Sequence, residues 1–201
     1  MRGANAETQA FAPKMPAERT TKAGCINPSL RPRSFWALLA SCAVLACTPA
    51  LNWREVRPPG AGVGVQLPCK PSVFARDLVL QGVTVRWHLL SCSAEGLTWA
   101  LAYGELSDPA LVAPALQTLH AAAQRNLGAE TAVSVFWSPP GATPNVHAKR
   151  VRMRGNFPDG RPVVEELAVF ARGTSVYQAS VLGPEVAPEA AEVFFASLHV
   201  L

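Results

Sequence analysis

The part of this sequence that follows residue 51 has no net charge. From Asn52 onward it holds twelve Lys or Arg and twelve Asp or Glu. Residues 1–33 hold six basic and two acidic residues, which account for the whole formal charge of +4. Proteins that bind nucleic acid by charge present a basic surface. Because the part of the chain after residue 51 has no net charge, the basic character of the whole sequence is no argument for a nucleic-acid partner. We expect no such partner.

The sequence also has no apolar run long enough for a comfortable transmembrane helix. The uncharged segment 34–46 has thirteen residues, whereas a spanning helix needs roughly 20. Arg31 and Arg33 precede it. A basic region followed by a short apolar segment is the pattern of an export signal, and the positive end stays in the cytoplasm.

This pattern divides the chain into three parts. We expect residues 1–33 to be a basic leader, within which Met15 is an alternative start, and residues 34–47 to be the apolar export segment. Residues 53–201 then form one globular α+β domain. A chain of that length buries roughly 70% of its unfolded surface, which is enough for a proper core.

The export segment ends in Val44-Leu45-Ala46-Cys47, which resembles the lipobox of bacterial lipoproteins. In that motif a small residue precedes a cysteine that is acylated and becomes the mature N-terminus. Leu45 departs from the motif, where a smaller residue is usual. Leu39-Ala40-Ser41-Cys42 is closer to it but leaves only about seven apolar residues ahead. The resemblance implies lipidation at Cys47, with Cys42, an uncleaved anchor or a plain cleaved signal as alternatives.

A lipidated cysteine would fix the location of the protein. Two or more acyl chains hold a protein stably on a membrane. Thr48 is not the aspartate that, in the lipoproteins it resembles, retains the protein at the inner membrane. The resemblance therefore implies a cell-envelope protein that is anchored in the outer membrane and faces the periplasm.

Cys69 and Cys92 are a candidate disulfide, with two free buried thiols as the alternative. Residues 74–80 and 83–90 alternate like two strands around a turn at Gln81-Gly82. The midpoint between the two cysteines lies within a residue of that turn. Antiparallel pairing would therefore bring the two sulfurs close across the ladder.

The remaining hydrophobic pattern predicts strands, a helix, further strands and a last helix. Asp108-Pro109 and Gly128 bound the first helix, and Pro188 opens the second, with Ala191, Phe194 and Leu198 on one side. Such an order predicts an α+β fold, a mainly antiparallel sheet with two helices packed on it. The strands are expected over residues 63–67, 74–80, 83–90, 97–103, 131–137, 147–157, 162–172 and 175–182.

Two segments carry a resemblance at the level of the fold. These are Gly-Val-Gly-Val-Gln-Leu-Pro at 62–68 and Glu-Val-Phe-Phe-Ala-Ser-Leu at 192–198. With the layout above, residues 53–201 look like the PsbP-like α/β sandwich group, which includes DcrB-like bacterial lipoproteins. Members of that group are mostly binding or assembly proteins without a shared active site, so the resemblance implies no site residue.

Arg150, Arg152 and Arg154 project from one face of a predicted strand and could bind an anion such as a phosphate or a lipid headgroup. The alternative is a solvated charged face, because reflection through Asp159-Gly160 places Arg154 opposite Glu165. Glu165 and its neighbour Glu166 point to opposite faces of the strand, which opposes a catalytic pair of carboxylates.

No other pattern indicates catalysis. The four histidines (His88, His120, His147 and His199) lack the spacing of a metal pair on a helix and have no adjacent cysteine or carboxylate cluster. We found no Gly-x-Ser-x-Gly elbow, phosphate loop or dinucleotide fingerprint. We therefore expect no metal, no cofactor and no enzymatic activity.

These observations favour a non-enzymatic, membrane-tethered envelope protein that binds another envelope component or assists assembly. The alternative is a periplasmic carrier of a small ligand that uses the tryptophans and the strand of Arg150 to Arg154. A third hypothesis is a hydrolase whose site assembles from scattered residues.

Overall fold

A computed structural model describes residues 51–201, with the backbone alone at 130–132. This part of the chain contains ten strands and two α-helices. The strands are β1 Arg54–Val56, β2 Val63–Leu67, β3 Ser72–Leu80, β4 Val83–Ala94, β5 Leu97–Glu105, β6 Glu130–Phe136, β7 Lys149–Asn156, β8 Pro162–Arg172, β9 Ser175–Gly183 and β10 His199–Val200, and the helices are α1 Val112–Leu127 and α2 Pro188–Ser197.

Seven of the strands form one sheet, in the order β3-β4-β5-β9-β8-β7-β6, and β1, β2 and β10 form a second sheet of three. Every neighbouring pair in both sheets is antiparallel. The predicted α+β class, a mainly antiparallel sheet with two helices packed on it, is confirmed.

The β3–β4 hairpin turns where the sequence predicts it. Gln81 and Gly82 have φ angles of 55° and 78°. Positive φ at both central residues is the geometry of a two-residue turn whose twist matches that of the flanking strands. Both strands extend beyond their predicted ends, so that β4 reaches Ala94.

The predicted end of α1 at Gly128 is confirmed, whereas the α-helix begins at Val112, three residues after the predicted Pro109. The Asp108 side chain accepts a 2.8 Å hydrogen bond from the main-chain N–H two residues later, and a short 3₁₀ turn, Pro109–Leu111, follows. Pro114 lies in the first turn of α1, where no partner exists for the N–H that proline lacks. Gly128, with a φ of 55°, ends the helix.

The chain closes with a short strand that the sequence analysis did not predict. α2 ends at Ser197, and Leu198 is extended and almost fully buried just beyond it. β10 then pairs with β2, with Val200 opposite Val63. Two residues are too few for an alternating pattern to be visible, so this strand has no sequence signal of its own.

Apolar side chains form two cores, one on each face of the seven-stranded sheet. One core lies under α1 and includes Leu116 and Leu167. The other lies under α2 and the small sheet and includes Phe170 and Phe194. β8 is buried along nine of its eleven residues because both of its faces are covered. We call the two sides of the large sheet the α1 face and the α2 face.

The tryptophans fill these cores. Trp99 is fully buried on the α2 face, where its ring meets those of Trp53 and Phe194 at centroid distances of 5.4 and 5.6 Å. Trp137 contacts two phenylalanine rings of the same core, both at 5.9 Å. Trp87 is buried in the core under α1. The edge-to-face geometry of these contacts is that of aromatic packing.

Candidate functional site

The predicted lipidation site, Cys47, and its alternative, Cys42, lie outside the described residues. Within residues 51–201, neither helix is long and apolar enough to cross a bilayer. Lipidation and the anchor remain predictions from the sequence.

The predicted disulfide between Cys69 and Cys92 is confirmed, with a Cα–Cα distance of 5.9 Å. The bond does not lie across the β3–β4 ladder, where the sequence predicts it. The β3–β4 ladder ends where Ser72 pairs with Ser91, so Cys69 lies beyond the ladder, in the loop after β2. The bond does not staple the hairpin to itself; it joins the end of β2, in the small sheet, to β4 in the large one.

The predicted cross-strand pairing of Arg154 with Glu165 is wrong by one residue. Arg154 lies opposite Val164, and Arg152 lies opposite Glu166. The register differs because the β7–β8 hairpin folds about Asp159 itself, with five residues between the paired ends of the strands. The prediction had placed the turn centre half a residue later.

Arg150, Arg152 and Arg154 are engaged with carboxylates on the α2 face. Arg150 Nε lies 2.7 Å and Arg152 Nη1 lies 3.1 Å from the two oxygens of Glu166. Arg150 also contacts a carboxylate of α2 at 2.8 Å, and its guanidinium lies 4.2 Å from the centre of the Phe195 ring. These contacts join α2 to strands β7 and β8.

Two further contacts complete this ion-pair cluster. Arg152 donates a 2.6 Å hydrogen bond to the main-chain carbonyl of Val186, and Glu185 lies 3.5 Å from Arg152 and 4.0 Å from Arg154. Three arginines thus meet three carboxylates, those of Glu166, Glu185 and Glu192. An anion at these arginines would have to displace internal partners, so the geometry favours a structural role. The anion-binding role stays a prediction.

Glu165 lies on the α1 face, away from its neighbour Glu166, as the alternation predicts. Its side chain is almost fully buried. Burial raises the pKa of the Glu165 carboxyl to about 7, and a hydrogen bond with Ser180 partly opposes the rise. Among residues 51–201 no basic side chain is paired with it, so the neutral acid is the form that this environment favours.

A groove between α1 and the strands β6 and β7 brings together residues that the sequence pattern leaves separate. Its volume is about 370 Å³. Across it, the Gln117 amide nitrogen lies 3.0 and 3.2 Å from the two ring nitrogens of His147. We call this the α1–β7 groove. Its lining residues are Gln117, His120, Ala121, Gln124, Ser134, His147, Lys149, Val151 and Met153.

His120 has an unusual position in this groove. Its Nε2 atom is buried and has no hydrogen-bond partner within the described part of the chain. The pKa of the imidazole is lowered to about 4, first by burial and then by the charge of Lys149, while a hydrogen bond with the Lys149 main chain acts in the opposite direction. The ring is therefore neutral at pH 7. Buried polar atoms without a partner are uncommon in proteins and require an explanation.

The sequence contained one signal of this groove. Gln117, His120, Ala121 and Gln124 recur at helical spacing beside the apolar stripe of α1. His147 could not be added from the sequence, because it lies in the connection before β7 and only the fold places it opposite this stripe.

The other two histidines have partners elsewhere in the described part of the chain. His88 stacks on Tyr103 with a centroid distance of 4.9 Å. His199 Nε2 lies 3.7 Å from Glu55 on the small sheet, where both side chains are partly exposed. The nearby Ser197 hydroxyl already donates to a main-chain carbonyl and accepts from a main-chain N–H. Among residues 51–201, no three His, Cys, Asp or Glu are grouped to hold a metal ion.

Comparison with known proteins identifies no family for this chain. No protein-family model matches the sequence, and no curated protein matches it. A solved structure from Bacteroides thetaiotaomicron matches 74% of this chain at 12% identity, with a TM-score of 0.42. The match spans 48% of that protein, so this chain covers about half its length. PA94, a protein of unknown function from Pseudomonas aeruginosa, matches 65% of this chain and 82% of its own at 12% identity, with a TM-score of 0.34.

Proposed function

We propose that this chain is a membrane-tethered envelope lipoprotein that acts by binding another envelope protein and catalyses no reaction. The observation that carries the proposal is the Cys69–Cys92 disulfide, which lies between the two sheets. Structural disulfides persist in oxidising compartments and are rare in the cytosol. The basic leader, the short apolar segment and Cys47 account for how the domain would reach such a compartment and stay at its membrane.

The tether is tested by labelling. The full chain is expressed in a bacterium with an outer membrane, fed an alkyne fatty acid, and fractionated. We expect label and membrane association in the wild-type chain, loss of both in Cys47→Ser, and retention in Cys42→Ser. Loss in Cys42→Ser alone would move the acylated residue to Cys42. An unlabelled wild-type chain that remains in the cytosol would refute the proposal.

An exposed sheet edge supports binding to a protein. β6 is the last strand on its side of the large sheet, so its outer edge offers unpaired main-chain groups. It also exposes apolar side chains on both faces: Val133 (58% exposed) and Val135 (48%) on the α2 face, and Phe136 (66%) on the α1 face. Residues 131–136 include no charged side chain. Exposed apolar patches of this kind mark interaction sites.

The opposite edge of the sheet provides a matched control. Val79 on β3 is 66% exposed, and β3 carries Arg76 and Asp77, charges of the kind that protect edge strands. Val133→Lys should abolish recovery of the partner from solubilised envelopes by the full chain, whereas Val79→Lys should leave it intact. Equal recovery by both variants would show that β6 is not the binding edge.

The second candidate function is a carrier of a small ligand. The tryptophans do not support it, since they are packed in the cores, and neither do Arg150 to Arg154, which are paired with carboxylates. The specific observation in its favour is the α1–β7 groove with the unpartnered nitrogen of His120.

A further inference from the structure

The α1–β7 groove combines a polar rim with an apolar floor. The floor consists of Ala121, Val151 and Met153, and the polar groups come from α1 on one side and from β6, β7 and the connection before β7 on the other. Its volume of about 370 Å³ falls in the range of small-molecule sites, which are mostly apolar with a few placed polar groups. The floor favours a ligand with an apolar body.

The charge of the groove is positive. Lys149 is the only charged residue among those that line it, and no carboxylate does. Lys149 makes no ion pair within the described part of the chain, in contrast to Arg150 beside it, which meets two glutamates. An ammonium beside the groove without an internal ion-pair partner is free to attract an anionic group. The same charge opposes a bound cation.

The polar groups of the groove are unevenly paired. The Gln117 amide contacts His147, whereas His120 Nε2 is buried without a partner. A buried donor or acceptor without a partner is costly, and a ligand or an ordered water that pairs with it recovers that free energy. The ring N–H of His120 is used in the hydrogen bond with the Lys149 main chain, which leaves Nε2 as an acceptor, so the partner for a ligand's carboxylate in this groove is the Lys149 ammonium.

We propose that the α1–β7 groove binds a small organic acid, whose carboxylate pairs with Lys149 while its apolar body lies on Val151 and Met153. This inference rests on the second candidate function, the ligand carrier, and does not depend on the tether or on the β6 edge. Its test measures binding by the purified chain directly, so its failure leaves the proposed envelope role untouched.

Benzoate is a suitable probe because it joins a carboxylate to a compact apolar ring, and benzyl alcohol is its uncharged counterpart. Ligand-observed NMR with the purified full chain, at ionic strength held constant with NaCl, should show saturable benzoate binding. For a ligand of this size we expect a dissociation constant on the order of 1–10 mM. Benzyl alcohol should bind at least about fivefold more weakly.

One pair of variants tests the charge. Lys149→Gln should weaken benzoate binding at least about fivefold, whereas Lys70→Gln, which removes the other lysine of residues 51–201, should leave it unchanged. The Lys149 side chain is exposed, so we expect its replacement to leave the fold intact.

Three results would overturn the inference. The first is the absence of saturable benzoate binding, the second is equal binding of benzoate and benzyl alcohol, and the third is an unchanged affinity in Lys149→Gln.

Discussion

At the scale of single residues, two adjacent glutamates of β8 occupy opposite environments. Glu166 meets Arg150 and Arg152 on the α2 face, whereas Glu165 lies on the α1 face with Ser180 and has no cation beside it in the described part of the chain. Both residues are 8% exposed. The fold therefore contains one charged carboxylate held in ion pairs and one carboxyl group that is most stable when protonated.

Replacing Glu165 by Gln should stabilise the protein at alkaline pH. The pKa of Glu165 is about 7 in the folded state, above its ordinary value of 4.5. Between these values the folded state holds a proton that the unfolded state has lost, so the free energy of unfolding falls as pH rises from 4.5 to about 7 and then levels off. The loss is on the order of 3 kcal/mol.

Urea denaturation at pH 4 and pH 8 measures this effect. The wild-type protein should be less stable than Glu165→Gln at pH 8, and the difference should be nearly absent at pH 4. Glu166→Gln is the matched control and should be destabilising at pH 8, because it removes a carboxylate from two partly buried arginines. A Glu165→Gln variant that gains nothing at pH 8 would contradict the assigned environment.

At the scale of elements, the disulfide connects two sheets that share no ladder. It joins the loop after β2 to β4 and closes a loop with a sequence separation of 23 residues. On the chain-entropy model such a bond stabilises by about 3 kcal/mol. The variant Cys69→Ser/Cys92→Ser should therefore unfold at lower denaturant concentration.

The control is the wild-type chain with dithiothreitol. It should unfold at the same lower denaturant concentration as the double variant, and dithiothreitol should not change the variant itself. A midpoint that is unaffected by either the substitutions or the reductant would show that the small sheet is held by packing alone.

The sequence predicted the elements whose signals are local. The strand predicted over residues 162–172 matches β8 at both ends. Asp108 and Gly128 mark the region of α1. The one-residue error at Arg154 arose because the position of a five-residue hairpin loop is not determined by its Asp-Gly pair alone. The strand β10 was missed because it is defined only by its distant partner.

The site was harder to predict than the fold. The pairing of Cys69 with Cys92 was predicted, but its role between two sheets was not. The α1–β7 groove was missed because His120 and His147 become neighbours only when α1 packs beside β7. Properties such as a buried, unpartnered nitrogen depend on that packing and have no counterpart in residue spacing.

At the scale of the whole molecule, the two sides of the large sheet have different coverings and different openings. The α2 face is covered by the small sheet and a helix fixed by ion pairs. The α1 face is covered by one long helix, and the groove opens beside it. The proposed protein-binding edge, β6, borders this groove through Ser134. Among the described residues, Ser134 is the one that the two proposed surfaces share.

The pairing of β10 with β2 has a consequence for how the protein is made. Val63, near the start of the domain, finds its neighbour in Val200, so the small sheet cannot be completed until nearly the whole domain has been synthesised. A chain threaded through a membrane pore from its N-terminal side would arrive with this layer still open, and its last residues would close it on the far side. A protein fused after β10, which delays the arrival of Val200 at Val63, should then slow the folding of the domain more than the same protein inserted at an exposed turn.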